Sequence, residues 1–276
     1  AWAGLFYFAA RRQGPGEDSR PVLAWPEGNA FLVDQLRRGF QDRIHTGIAV
    51  AQIRNLAIGK VEVQGLDART GKPCGFRANR VIFAGPQHVA RHVIPERPLE
   101  GPHFSHSPWL VVNFTLKERP MERGFPLAWD NVFHDSDSLG YVVATHQSLR
   151  DHGPTVWTWY HPFPEADVKA ARLRLQQMDW KACVDMALGD LRRAHPDIDT
   201  LVTRADVMRW GHGMIRPLPG FCWSDALQKA ALPKGGIHFA HTDLSAMALF
   251  EEALDHGLRA AEEVLEALKG PQGSWR

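Results

Sequence analysis

The chain has 276 residues, 44% hydrophobic and 23% charged, a balance that excludes a disordered chain and fits one large domain or two small ones. Lys plus Arg number 32 against 31 for Asp plus Glu, a net charge of +1, so no basic field argues for nucleic acid. Mean hydropathy is -0.29 and no stretch approaches the roughly 18 apolar residues of a membrane-spanning helix.

The cysteines, Cys74, Cys183 and Cys222, are odd in number and scattered. That pattern argues against a disulfide scaffold or a CxxC metal site and fits a reducing, cytoplasmic compartment. The opening residues, with Trp2, Leu5, Phe6 and Phe8, lack the basic, apolar and cleavage regions of a signal peptide. They are too apolar for a free tail, so the chain is expected to start inside a fold, as part of a longer polypeptide. Residues 11–21 read as a surface loop.

After Pro26-Glu27-Gly28-Asn29, the spacing of Phe31, Leu32, Val33 and Leu36 predicts a short helix ending at Gly39. Segments 47–55 and 59–67 are β-rich, with a turn between them at Asn55 to Gly59. The continuous apolar run Arg80-Val81-Ile82-Phe83-Ala84 predicts a strand buried on both faces. From about residue 108 the texture changes. Segments 108–114, 127–133, 139–146 and 155–161 read as antiparallel strands between polar turns. Residues 165–194 carry two helical patterns broken near Asp179, with Leu173, Met178, Trp180, Val184 and Leu191 inward. A strand at 202–209 leads into Trp210-Gly211-His212-Gly213, and a Pro-rich turn follows. A short strand, Ile237-His238-Phe239-Ala240, then meets a final helix from about 246 to 268. Its stripe of Leu254, Leu258, Ala261, Val264, Leu265 and Leu268 predicts a packed helix. The layout is α/β (α+β), with 1–100 and 203–276 forming one domain and 101–202 a more antiparallel one.

The run Gly236 to Ser245, followed by Glu251-Glu252-Ala253 and His256-Gly257-Leu258-Arg259-Ala260-Ala261, resembles the closing motif of flavin-containing amine oxidases. In that family a strand ending in Phe-Ala-Gly is followed by an acid and then by a helix opening near Glu-Gly-Ala. Similar pieces occur in the family's order: the Pro26-Glu27-Gly28 helix start, the strand around Val50, Val81 to Pro86, and Arg209-Trp210 through Pro219-Gly220. The resemblance implies that the two chain ends form part of an FAD-binding domain and that 101–202 is a substrate domain.

A helix N-terminus suits an electron-rich ligand, because its first N–H groups are unpaired and its dipole is positive there. The resemblance makes that ligand the flavin pyrimidine edge, met by the N–H groups of Leu249 and Phe250. It also places Asp243 near the ribityl–pyrophosphate part of FAD, the Val50 backbone near the adenine, and Ala84 and Gly85 at the cofactor. His241 and Glu252 stand where the family has glycines, which adds bulk where a backbone approaches the cofactor. The dinucleotide fingerprint Gly-x-Gly-x-x-Gly is not completed at Gly14-Pro15-Gly16 or at Gly211-His212-Gly213. The expectation is therefore a C-terminal part of a flavoprotein whose dinucleotide-binding segment lies earlier in the same polypeptide.

The His103-Phe104-Ser105-His106 pair is bracketed by Pro102 and Pro108 and has no carboxylate or Cys at ligand spacing, so no metal site is expected. Ser138, Ser148 and Ser224 lie in no Gly-x-Ser-x-Gly elbow, so a hydrolase is not supported. The expected chemistry is hydride transfer from a small or apolar organic molecule to flavin N5. Trp210, His212 and Tyr141 are the candidate active-site residues, and Trp157, Trp159 and Tyr160 are further aromatic candidates that a strand core would equally use. No Lys occupies a recognisable family position, so polyene desaturation or isomerisation and porphyrinogen oxidation stand as alternatives. A non-catalytic module that has lost its cofactor is a further one.

Overall fold

The computed structural model describes residues 25–57, 59–97, 104–124, 126–148 and 150–269. The expected apolar start, the 11–21 loop and His103 lie outside the described residues. The chain divides into two compact units. The first holds Val33–Ser105 and the described residues from Ile215 onward; the second holds His106–Met214 and residues 25–32.

Helix α1 (Asn29–Leu36) forms where the apolar spacing predicts it, and Gly39 follows with φ +86°. Strands β1 (Ile48–Asn55), β2 (Val61–Asp67) and β3 (Pro73–Ala78) make an antiparallel meander in the first unit. The β1–β2 turn falls at Asn55 to Gly59 as expected, closed by Leu56 N–H donating to Lys60 O at 2.7 Å. Between β2 and β3, Asp67 Oδ1 accepts from the N–H groups of Arg69 and Thr70, a side-chain turn that leaves no N–H unpaired there.

Strand β4 (Val81–Phe83) follows, and helix α2 (Gln87–Val93) starts directly after Pro86. Pro86 suits that position because its fixed φ and missing N–H cost a helix start nothing. The apolar run at β4 is not buried on both faces: Ile82 is exposed. The strand is only three residues long and its one neighbour in the sheet is the strand Ile237–Phe239, so hydrophobicity alone overstated its burial.

The second unit is built on a five-stranded sheet of order β6-β7-β8-β5-β9. Its strands are β5 (His106–Leu116), β6 (Asp130–Asn131), β7 (Tyr141–Val143), β8 (Thr155–Pro162) and β9 (Val202–Ile215). Strand β8, and β5 from Pro108 onward, alternate strictly in burial, the period of a half-covered sheet. Leu110, Val112, Phe114, Trp157 and Trp159 point to one face and are fully buried there. Helices α3 (Val168–Gln177) and α4 (Trp180–Ala194) cover that face through Ala171, Leu175, Cys183, Val184, Ala187 and Leu191. The short α5 (Ile198–Leu201) leads into β9.

The break expected near Asp179 is real and has a mechanism. Asp167 accepts from the N–H groups of Lys169 and Ala170 to cap α3, and Asp179 accepts from Ala182 N–H at 2.7 Å to cap α4. Replacing Asp179 by Ala is expected to cost the second unit about 1 kcal/mol, read as a lower urea midpoint with an unchanged slope. Val184 and Leu191 face inward as predicted, whereas Leu173 and Trp180 are exposed. Trp180 lies at the first position of α4, where its indole N–H donates to Ala205 O instead of packing inside.

Strand β9 runs through Trp210 to Gly213, which were expected to follow a strand ending at 209. It therefore belongs to the second unit as far as Met214. The chain returns to the first unit with α6 (Asp225–Ala231), β10 (Ile237–Phe239) and α7 (Phe250–Lys269). Strand β10 pairs in parallel with β4, Ile237 opposite Val81 and Phe239 opposite Phe83. Ile53, Val61, Val93, Ile94, Ile237, Phe239 and Leu244 form the core around this pair. Along α7, Ala260 is buried, but Leu254, Leu258, Leu265 and Leu268 of the predicted stripe are exposed.

Candidate functional site

The segment from β10 into α7 concentrates the buried polar chemistry of the first unit. Phe239 and Ala240 are buried, and Ala240 N–H donates to Phe83 O at 2.9 Å, extending the parallel pairing by one residue. The chain then makes a 3₁₀ turn over Thr242–Ser245 and reaches Ala246 at φ +58°. Asp243 sits in that turn, 1% exposed. Its Oδ2 accepts from Gln87 N–H at 2.7 Å, so the acid closes the N-terminus of α2, and its own N–H donates to His241 Nδ1 at 3.1 Å. This joins the turn after β4, carrying Ala84 and Gly85, to the loop after β10.

Around this junction lie side chains that motif reading did not single out. Arg97, 4% exposed, donates to Gln87 Oε1 at 2.6 Å and to Ala230 O, and lies 3.5 Å from the Phe239 ring centre. Burial pulls its guanidinium down to about 10, still charged at neutral pH, with the ring face supplying part of the lost solvation. No local pattern marks Arg97, because its partners come from α2, α6 and β10.

On α7, Arg259 donates to Phe239 O at 2.6 Å, to Glu263, and at 3.4 Å to His256 Nδ1. Arginine can only donate, so Nδ1 of His256 is an acceptor and its proton sits on Nε2. That Nε2 is 2.7 Å from Ser245 Oγ, and Ser245 in turn donates to Glu252 Oε2. The chain Arg259–His256–Ser245–Glu252 thus has one consistent direction and a neutral imidazole. Burial, followed by the Arg259 charge, holds His256 below its ordinary value. His238 Nδ1 meets Glu263 Oε2 at 3.0 Å. The i, i+3 and i, i+4 spacings of 256, 259 and 263 were readable as one helix face.

The remaining expected cofactor positions fall in the same unit. Val50 is exposed on β1, beside an irregularity between Val50 and Gln52 that leaves Ala51 out of register. Gly65 opposite must be glycine, since a Cβ there would lie 2.6 Å from Ala49 O. A Cβ on Gly85 would lie 2.7 Å from the tip of the Phe83 ring, which would have to turn aside to admit it. Leu249 N–H is engaged by Met247 O at 3.0 Å, whereas Phe250 is the first residue of α7, where N–H groups have no intrahelical acceptor. His241 and Glu252, the two departures from glycine, hold Asp243 N–H and Ser245 respectively.

The candidate residues of the second unit separate. Trp210 and His212 lie on β9 and are exposed, with the His212 ring 5.9 Å from that of His106. Tyr141 is 2% exposed and stacked on Trp157 at 4.4 Å, with its hydroxyl 2.6 Å from His195 Nε2. Burial pushes its pKa far up, so it is a neutral core hydroxyl. Trp157 and Trp159 are core residues too.

His195 follows the last residue of α4, where the helix dipole would favour a cation by about 0.3–1 kcal/mol. Burial outweighs this and lowers its pKa, as it does for His161. A histidine depressed in the folded state contributes stability above its unfolded value, and this is lost as pH falls through the folded value. The thermal midpoint is expected to drop as pH goes below about 6.5. The slope is at most about 1.4 kcal/mol per pH unit for each histidine, and it should be shallower in His195→Gln, which keeps a partner for Tyr141.

Comparison with known proteins now identifies the class. The sequence matches the flavin containing amine oxidoreductases over residues 6–265. The chain belongs to that family. Among solved structures it is similar to cyclohexylamine oxidase from Brevibacterium oxydans IH-35A, with TM-score 0.63 and 13% identity over 88% of this chain and 53% of that one. A putrescine oxidase bound to putrescine gives TM-score 0.64 and 15% identity over 87% of this chain and 53% of that one. The chain thus spans about half the length of these relatives. No curated protein matches it in sequence.

Family membership implies a flavin cofactor. The residues present fit one in donor chemistry: the 20-residue helix α7 offers unpaired N–H groups at Phe250 and the residues after it. The strand carrying Val50 leaves a backbone edge next to its irregularity. No helix among the described residues is long and apolar enough to cross a membrane.

Proposed function

We propose that this chain is the flavin-facing portion of an FAD-dependent oxidoreductase acting on a small organic molecule. The observation that carries the reading is the parallel β4–β10 pair delivering the chain through a buried Asp243 loop to the start of α7. In this reading Phe250 N–H meets the flavin pyrimidine edge, Asp243 lies near the ribityl–pyrophosphate, Ala84 and Gly85 lie at the cofactor, and the Val50 backbone meets the adenine. Leu249 would join Phe250 only by giving up its bond to Met247. When bound, the flavin supplies the hydride acceptor at N5. The protein's part is to orient the cofactor and substrate and to keep water out, with Trp210 and His212 as candidates for the substrate side.

The sequence completes no Gly-x-Gly-x-x-Gly and spans 53% of its similar structures. Both facts support a dinucleotide-binding segment supplied by polypeptide outside these residues. The free cysteines Cys74, Cys183 and Cys222 support a cytoplasmic location. An amine is the first substrate class to test, because the two similar structures are named for amines.

The test is to purify the polypeptide encoded by the whole source gene and record its absorbance near about 450 nm, then follow anaerobic bleaching by amines and by polyenes. Flavin present and bleached by amines supports the proposal in full. Bleaching by polyenes alone keeps the flavoenzyme and changes its substrate. A protein that neither contains nor takes up FAD overturns the proposal in favour of a non-catalytic module.

A further inference from the structure

A second, unrelated feature lies wholly within the antiparallel unit. The segments flanking β6, β7 and β8 line an open surface pocket of about 240 Å³, with Arg119, Leu127, Trp129, His146, Arg150 and Asp151 around it. That volume is below the ~300–1,000 Å³ of sites for drug-sized ligands, so the pocket is matched to a molecule of one ring or less. Trp129 is 59% exposed, and its indole lies 5.4 Å from the His146 ring. His146 is itself held in place by its Nδ1–H donating to Val143 O at 2.8 Å. Together the two rings form a fixed aromatic wall.

The polar side of the pocket is cationic. Arg119 donates from Nη2 to Arg150 O, which anchors the guanidinium. Its Nε–H is buried and has no acceptor among the described residues. A buried donor left without an acceptor is costly and uncommon, and calls for a partner. Arg150 adds a second positive charge. The one carboxylate on the rim, Asp151, is almost fully exposed and is bound by His152 Nδ1 at 2.8 Å; that contact, and more weakly the Arg119 charge, hold its pKa below the ordinary value, so it offsets only part of the charge of the two arginines. The balance is an orphan donor on a planar guanidinium beside an aromatic face.

We infer that this pocket binds a small planar carboxylate, its oxygens received by Arg119 and its ring laid against Trp129. Guanidinium and carboxylate match in geometry, since two parallel N–H donors meet two oxygens. The site does not depend on the flavin reading: none of its residues belongs to the β10–α7 segment.

The test uses the 276-residue chain labelled with 5-fluorotryptophan, with benzoate as the probe. The chain has ten Trp, and the Trp129 fluorine resonance is assigned from its absence in Trp129→Phe. Benzoate is expected to shift that resonance saturably in about the millimolar range, leaving the resonances of the buried Trp157 and Trp159 in place. Arg119→Gln should weaken the titration at least tenfold. Arg119→Lys, which keeps the charge but has no Nε–H donor, should also weaken it and serves where the Gln variant perturbs the buried Trp signals. Benzylamine, the same ring with a cation, should give no saturable shift. A flat benzoate titration, an equal titration in both Arg119 variants, or an equal response to benzylamine would each overturn the inference.

Discussion

Replacing Trp159 by Ala is expected to destabilise the second unit by about 3–5 kcal/mol, the range for truncating a large aromatic in a packed core. Trp159 is 1% exposed and stands opposite Val112 on one side and Tyr141 on the other. Its indole N–H donates to Asp190 Oδ2 at 3.0 Å, and the same carboxylate receives Ser136 and Ser138. Burial alone would raise the Asp190 pKa. The donors Ser138, Trp159 and Ser136, with the Arg193 charge, outweigh it and leave the group below its ordinary value. Asp190 therefore stabilises the fold above its unfolded value, and the contribution is lost as pH falls through the folded value. Trp159→Phe separates the two effects. It keeps most of the ring but removes the donor, so about 1.5–3 kcal/mol should be lost, together with part of the acid-side pH dependence. Urea unfolding of wild type, Trp159→Ala and Trp159→Phe at pH 7 and pH 4 reads both. Equal stability of Trp159→Phe and wild type at pH 7 would mean that the Asp190 contact carries no net weight.

What the sequence revealed and what it hid follow from range. Elements with a strong local period were legible: β8 matched to within a residue, and the break between α3 and α4 was visible because Asp179 is a helix-capping residue at the junction of two patterns. The strand at Ile237 was legible because a short apolar run bounded by Gly236 and followed by a helix has few other readings, whereas its parallel pairing with β4 was not. Burial was less legible. Ile82, Leu173 and Leu258 are apolar in suitable patterns yet exposed, since a periodic stripe says which way a helix or strand faces and nothing about what covers it. Tyr141 lies on an alternating strand, and that alternation places it in the core, as it does most aromatics on such strands. The buried polar junction was the least visible feature. Asp243 was found through a family resemblance, while Gln87 and Arg97, which complete its surroundings, sit 156 and 10 positions from their partners and leave no local trace.

That junction supports the second large prediction, which distinguishes the structural role of Asp243 from the proposed cofactor role. Asp243→Ala leaves Gln87 N–H at a buried helix start without an acceptor, while the main-chain N–H that donates to His241 Nδ1 stays in place. A loss of about 2–3 kcal/mol from the first unit is expected, combining a lost helix cap with an unsatisfied buried donor. Asp243→Asn retains an amide oxygen for Gln87 N–H at almost the same place, so the fold should lose far less. The negative charge, however, is gone in both variants. If Asp243 serves only to close α2, Asp243→Asn will match wild type in thermal midpoint and in flavin content of the whole-gene protein. If its carboxylate also orders the cofactor, Asp243→Asn will keep its midpoint and lose flavin on dialysis. The Ala variant cannot make this distinction, because a frayed α2 would release a cofactor whatever the acid contacts. Flavin retention at unchanged midpoint in Asp243→Asn would confine Asp243 to the loop it braces, and the cofactor assignment would then rest on Val50 and the first turn of α7.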